Sequence, residues 1–403
     1  MRAGLRVYWP WLLAGILWSV VLAGLLLALY TRTDWGRERV LGFTVRALGG
    51  QLNGTLRVER LEGNVVTGAR LYGLSIVDPD GRPFVSADSA YIEYRLPTFL
   101  GGDVVIRRLA LYSVRLDLER LPGDTLWNYQ RVLRDTTPDP AAPPRATLVE
   151  RMRVVQAEVR IAMEWAHDPD LSPAQQERQL RAALTDTARL MAAAVPGGHV
   201  RLMRLDVPSA LVTELFIGTD ERGGTYLKVD SLQGDVRLWR DPPLRIRQLT
   251  GELNLRYDTL RYNAPHVVLP ASELRSVGKI DLTGAEPLYN VHVGGERIAF
   301  ADMQWLYPRF PDEGGGGLEL RLHTRDDGFY FMAREVDVRA PGTHLTGRFG
   351  MLLGDTLRFV DTDLRAEPLD VRTVEALLPE GLPVRGLVIG GAEIRSPSAV
   401  QGS

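Results

Sequence analysis

The residues able to do chemistry are few and scattered. Six histidines, at positions 167, 199, 266, 292, 323 and 344, include no HExxH pair and no other spacing that would converge on a zinc ion. Ser276-Val277-Gly278-Lys279 has the spacing of a serine nucleophile with a lysine base, but it falls in an alternating strand pattern and lacks the companion motifs of that enzyme class. Gly314 to Gly317 lacks the lysine and hydroxyl that make a glycine-rich loop hold phosphate, so it reads as a turn. The acidic pairs Asp78/Asp80, Asp168/Asp170 and Asp361/Asp363 sit beside Pro or Thr in expected turns, with no convergent ligands for calcium or partner for acid/base work. With no cysteine there is no disulfide or thiolate chemistry. The expectation is a chain that is not an enzyme and carries no metal or cofactor.

Composition points the same way. The 403 residues are 45% hydrophobic and 24% charged, which are ordinary globular values, and the formal charge of −2 supplies no field for nucleic acid. Only Lys228 and Lys279 are lysines among 48 basic residues, an arginine excess that reads as coding bias rather than as a binding signal.

What the sequence does supply is alternation. In GGLELRLHTRDDGFYFMAREVDV, residues 316–338, Leu318, Leu320 and Leu322 interleave with charged residues, the period of a half-buried strand. Asp327-Gly328 reads as a two-residue hairpin turn that sets Leu322 opposite Ala333 and Thr324 opposite Phe331. The leucines then share a face with Phe329 and Phe331. The phase slips at Glu335 before Val336 and Val338 resume, which a β-bulge absorbs. The same pattern adds Ile92, Tyr94 and Leu96, then Leu109, Leu111, Leu116 and Leu118, to the apolar face. Further along, Val236, Leu238, Leu244, Ile246, Leu253 and Leu255 extend it.

Residues 7–31 carry no charge and are long enough to cross a bilayer as a helix. Trp9, Trp11, Trp18 and Tyr30 mark this anchor, and its aromatic ends suit the interface. The segment reads as a retained signal anchor over residues 1–32, with the amino terminus inside and the bulk of the chain exported. Residues 33–134 begin with a short helix through RERVLGFTVRAL and continue as an antiparallel strand meander. Residues 135–200 hold the proline-rich TTPDPAAPP, a strand VRIAMEW and a helix from Ser172, capped by Gln175 and ending at Pro196-Gly197. Residues 201–403 return to strands with a weak repeat of roughly 70 residues. SELRSVGKIDL aligns with THLTGRFGMLL, and the segments led by Asp302 and Asp370 align with each other. The last strands begin a further unit and stop, so the chain is expected to be a piece of a longer protein. The fold class expected is mainly β: a transmembrane helix, then a long, curved antiparallel sheet of repeating groove-like units with one helical insertion.

Two readings of the apolar face stay open. Two such faces can pack together as a sandwich or solenoid core, or one can line an open groove that something apolar, such as an acyl chain, must fill. Leu61-Glu62-Gly63, the strand from Gly73 to Asp78, the strand from Asp88 to Leu96 and the segment from Phe99 to Ile106 follow one another behind the anchor. This ordered set resembles the amino-terminal part of the TamB/AsmA-like envelope proteins. The resemblance covers about residues 10–130, with a looser match over 225–390. It implies a protein anchored in the bacterial inner membrane with a periplasmic β-groove that conducts phospholipid acyl chains toward the outer membrane. The alternative it implies is a scaffold for translocation and assembly of outer-membrane proteins, beside a barrel partner of the Omp85 type. The family's C-terminal domain is not recognisable in these residues.

Overall fold

The structure, a computed structural model, describes residues 53–64, 68–94, 104–133, 147–165, 172–184, 190–193, 198–218, 224–237, 241–256, 259–281, 288–325, 328–353, 357–370, 373, 388–389 and 392–395. The expected anchor with Trp9, Trp11, Trp18 and Tyr30, the helix expected after it, the proline-rich stretch and the positions Leu96 and Leu238 lie outside the described residues. Among the described residues no helix is long and apolar enough to cross a membrane.

The chain is mainly β, and its strands form one 20-stranded sheet plus a two-stranded pair. β1 (Thr55–Arg57) and β2 (Arg60–Asn64) share one edge of β3 (Gly68–Val77), which is followed by β4 (Pro83–Tyr94) and β5 (Val104–Arg120). Helix α1 (Asn128–Leu133) comes next, then β6 (Thr147–Val149), β7 (Met152–Trp165), helix α2 (Pro173–Leu184), β8 (Leu190–Ala192) and β9 (His199–Gly218). From there β10 (Gly224–Arg237), β11 (Leu244–Arg256), β12 (Thr259–Val268), β13 (Glu273–Asp281), β14 (Leu288–Ala299), β15 (Gly315–Arg325), β16 (Gly328–Ala340) and β17 (Thr343–Leu353) pair antiparallel in sequence order. β18 (Leu357–Phe359) and β19 (Asp363–Ala366) share the next edge, and β22 (Ala392–Arg395) pairs with β19. β20 (Leu369–Asp370) and β21 (Val388–Ile389) form the separate pair.

The sheet is mixed, where a wholly antiparallel one was expected. β5 runs parallel to β6 and β7, because residues 121–146 carry the chain from the end of β5 back beside its start. Unforeseen α1 sits at that crossover. Its Asn128 side chain completes the edge of β5 as a neighbouring strand would: Nδ2 donates to Asp117 O at 2.6 Å and Oδ1 accepts from Glu119 N at 3.0 Å. α2 begins where expected, with Gln175 Oε1 accepting from the Ser172 amide at 3.0 Å. The helical reading had extended through Met191, but residues 190–192 form β8. Strand β9 runs past the end of β10, and its exposed main-chain groups at His199–Arg201 take β8 as a partner, overriding local helical periodicity.

The hairpin of β15 and β16 also differs in register. Arg325 pairs with Gly328, Leu322 with Phe331 and Leu320 with Ala333. Gly328 therefore belongs to the strand and not to the turn. A shift of two in pairing leaves each side chain on the face expected of it. The bulge at Glu335 is present: that residue has φ of +50° and the register slips between Ala333 and Val336.

That bulge is one of a line. Gly73 (φ +60°), Ser113 (φ +51°) and Gln156 (φ +57°) lie abreast with Asp88 and Pro208 across β3, β4, β5, β7 and β9. Register slips continue the line through β11 to β17, ending at Gly347 (φ +122°), where an added Cβ would meet Asp363 O at 2.1 Å. A crease thus crosses the sheet at right angles to its strands.

Two polar contacts cap this end of the sheet. Asp302, in the 3-10 turn Phe300–Met303 after β14, folds back on the β12–β13 turn, where Oδ2 accepts from Ala271 N at 2.8 Å and Ser272 Oγ at 2.7 Å. Asp370, after β19, lies over the β16–β17 turn, and its amide donates to Thr343 Oγ1 at 3.0 Å. Ser272 and Thr343 are the residues that the sequence alignment places in correspondence.

Candidate functional site

The pairing registers assign every strand residue to one of two faces. On one, apolar residues stand opposite one another from strand to strand, interrupted only by the Tyr262 hydroxyl among the rows described below. One row runs Leu61, Leu71, Ala90, Leu111, Val154, Ala210, Leu232, Leu249, Val267 and Leu274. A second runs Ile106, Val149, Leu215, Leu227, Leu253, Tyr262, Gly278, Val291, Leu322, Phe331, Met351 and Phe359. Tyr262, the polar intrusion, has its hydroxyl 3.0 Å from Ser276 Oγ and its ring across Gly278. Burial raises the Tyr262 pKa, with the Ser276 contact opposing it, so the phenol stays protonated on this face.

The opposite face carries most of the charged side chains and is laced by cross-strand ion pairs, with buried Ala162, Val200 and Leu352 among them. Glu158 lies 3.4 Å from Arg115 and 3.3 Å from Arg204, and Asp206 lies 2.9 Å from Arg204 and 2.7 Å from Arg237. Such exposed pairs each contribute ~0–1 kcal/mol, and the ladder marks the face that meets water.

The sequence-derived lining residues fall on the apolar face wherever they are described. Ile92 pairs with Leu109, Leu116 with Val159, Leu118 with Ile161, Val236 with Leu244, Ile246 with Gly234 and Leu255 with Leu260. Tyr94 pairs with Ile106. Leu318 pairs with Gly295, Leu320 with Val293, Phe329 with Leu353 and Val338 with Leu345. Leu111 and Leu116, Ile246 and Leu253, and Phe331 and Val336 are each an odd number of residues apart. A strict period of two would send them to opposite faces; the crease between them restores each pair to one face.

Burial on this face is partial. Leu253, Leu255, Leu320, Leu322, Phe329 and Phe331 are half-buried. Near the crease it deepens, with Val207 6%, Ala264 7%, Ala333 7% and Val336 7% exposed. Toward the strand ends it falls away, with Ile217 45%, Tyr289 38% and Phe359 56% exposed. The buried cluster of Leu61, Ala69, Leu71 and Ala90 sits at the first edge of the sheet.

No family model, curated protein or solved structure matches this chain.

The sequence reading missed the contribution of β7, β9 and β12, whose Val154, Val212, Leu215 and Tyr262 are as central as the residues it named. Their alternation is interrupted by bulges and by Gly or Pro, so period counting lost them.

Proposed function

We propose that the apolar face is a trough for the acyl chains of phospholipids, in a TamB/AsmA-like protein anchored in the bacterial inner membrane with its bulk in the periplasm. The observation that carries this reading is the row from Ile106 to Phe359, apolar but for the Tyr262 hydroxyl and half-buried along most of its length. In a sandwich the facing sheet would remove nearly all of that surface from water. Leaving a dozen half-buried apolar side chains partly wet forgoes on the order of 10 kcal/mol, about half of the ~1.5–3 kcal/mol that full burial of each brings, so an apolar occupant is favoured. The burial gradient fits a concave cross-section whose floor is the crease. A lipid leaving a bilayer loses ~0.8 kcal/mol per methylene, and a continuous floor returns most of that at every step along the sheet.

The test is a photo-crosslinking residue placed at Leu320 or Phe331 in the full chain in membranes. The expected adduct is phospholipid; capture of neighbouring protein segments alone would overturn the reading.

A second reading, a scaffold for outer-membrane proteins and their barrel partner, draws on the edge of the sheet. The side of β2 turned away from β3 has no strand partner among the described residues, and such an edge accepts an added strand. A barrel-protein pull-down that survives Leu320→Arg but is lost when β1 and β2 are deleted would favour this scaffold over the trough.

A further inference from the structure

Outside the bulges, the registers place only two charged side chains on the apolar face among the described strands: Arg120 at the end of β5 and Arg201 near the start of β9. They share a row. Arg120 stands opposite Met163, and Met163 stands opposite Arg201. Two strand spacings separate their backbones by about 10 Å, a gap that two long side chains converging over Met163 can close. The rows immediately inward on these strands are Leu118, Ile161 and Met203, then Leu116, Val159 and Leu205, so the aliphatic rows of β5, β7 and β9 give way at this pair of cations, with buried Leu190 of β8 on the far side of Arg201.

Neither guanidinium forms an ion pair with a carboxylate among the described residues. The nearby acids are taken or turned away: Asp117 and Glu119 pair with Arg160 on the polar face, and Glu164 stands opposite Val200, also on that face. Arg120 is half-buried with its guanidinium 5.5 Å from the Trp127 ring centroid, which holds it in place, while Arg201 is exposed. Beyond the row, Trp165 and His199 meet edge to face at 6.0 Å on the same face. Two arginines without a carboxylate partner among the described residues, with an aromatic pair beside them where the aliphatic rows give way, have the chemistry of an amphiphile's polar end.

We propose that Arg120 and Arg201 bind the anionic phosphate head group of an amphiphile whose acyl chains lie on the apolar rows inward of them. This rests on the trough reading and adds selection to it. Guanidinium forks match phosphate oxygens with charge-assisted hydrogen bonds. A zwitterionic head places a compensating cation beside the same phosphate and is bound less well.

The purified full chain is titrated with phosphatidylglycerol carrying a fluorescent acyl chain and with phosphatidylcholine carrying the same chains. We expect phosphatidylglycerol to bind about tenfold more tightly, the scale of one or two charge-assisted contacts. In the Arg120→Gln/Arg201→Gln double variant the two lipids should bind alike, at the phosphatidylcholine level. Arg204→Gln, on the opposite face, should leave the preference intact, and matching unfolding curves establish that each variant is folded. Equal binding of both lipids by the unaltered chain would overturn the head-group site while leaving the trough standing. Binding of neither would overturn both. A preference that persists in the double variant, or displacement of the lipid by inorganic phosphate alone, would also overturn the assignment.

Discussion

Asp124 and its neighbours make the tightest polar knot in the described residues. Asp78 is almost fully buried, where Oδ1 accepts from the amides of Asp80 and Arg82 and Oδ2 from Arg131 Nη2 at 2.9 Å. Arg82 Nη1 reaches Asp124 Oδ2 at 2.8 Å, and Arg131 Nη1 lies 3.3 Å from the same oxygen. Burial alone would raise the Asp124 pKa, but hydrogen bonds from Arg82, the Leu121 amide and Arg131 outweigh it and hold the carboxyl below its ordinary value. Its contribution is therefore fully present above the unfolded carboxylate pKa and is lost as pH falls through the lower folded value. Asp124→Asn should lower stability to urea by about 1–3 kcal/mol at pH 7, and the difference should shrink below about pH 4. At the crease, Glu335 holds a left-handed conformation that costs a side-chain-bearing residue roughly 1 kcal/mol. Glu335→Gly should accordingly be neutral or stabilising and Glu335→Val destabilising by about 1–2 kcal/mol in the same assay.

At the scale of elements, the sheet is held by side chains that complete main-chain edges. Asn128 substitutes for a strand beside β5, and Asp302 holds the turn between β12 and β13. Replacing Asn128 by Leu leaves a buried carbonyl and amide unmet and should cost about 2–4 kcal/mol, visible as a lowered urea midpoint. Asp302→Ala should act locally: hydrogen exchange at Ala271 should accelerate about tenfold, the equivalent of roughly 1.4 kcal/mol, while the centres of β12 and β13 stay protected.

For the whole molecule, the cost of a charge on the apolar face separates a trough from a closed core. At Leu253, half-buried in the middle of the long row, an arginine can keep its head in water if the face is open. Leu253→Arg should then cost less than about 1.5 kcal/mol by urea unfolding and still lower phospholipid capture at Leu320. In a closed core the same change would leave an unpaired buried charge and cost about 3–5 kcal/mol. The polar ladder behind the sheet should matter little: Arg204→Ala is expected to change stability by less than about 1 kcal/mol, and by less still at high salt.

The sequence by itself determined that this chain is made of strands with one apolar side, because side-chain direction in a strand follows from backbone geometry over a few residues. The leucines of β15 and the phenylalanines of β16 were legible for that reason, as was the bulge at Glu335. Only the tertiary structure decided which strands are neighbours. The parallel step from β5 to β7, the capture of β8 by the overhanging end of β9 and the helix α1 depend on hydrogen bonds between residues far apart in the chain, and no local period encodes them. The crease was hidden for a related reason: each bulge is a one-residue irregularity in its own strand, and the line appears only when the registers are laid side by side. Arg120 and Arg201 are 81 positions apart in the numbering, and it is the pairing of β5, β7 and β9 that brings them to opposite sides of Met163.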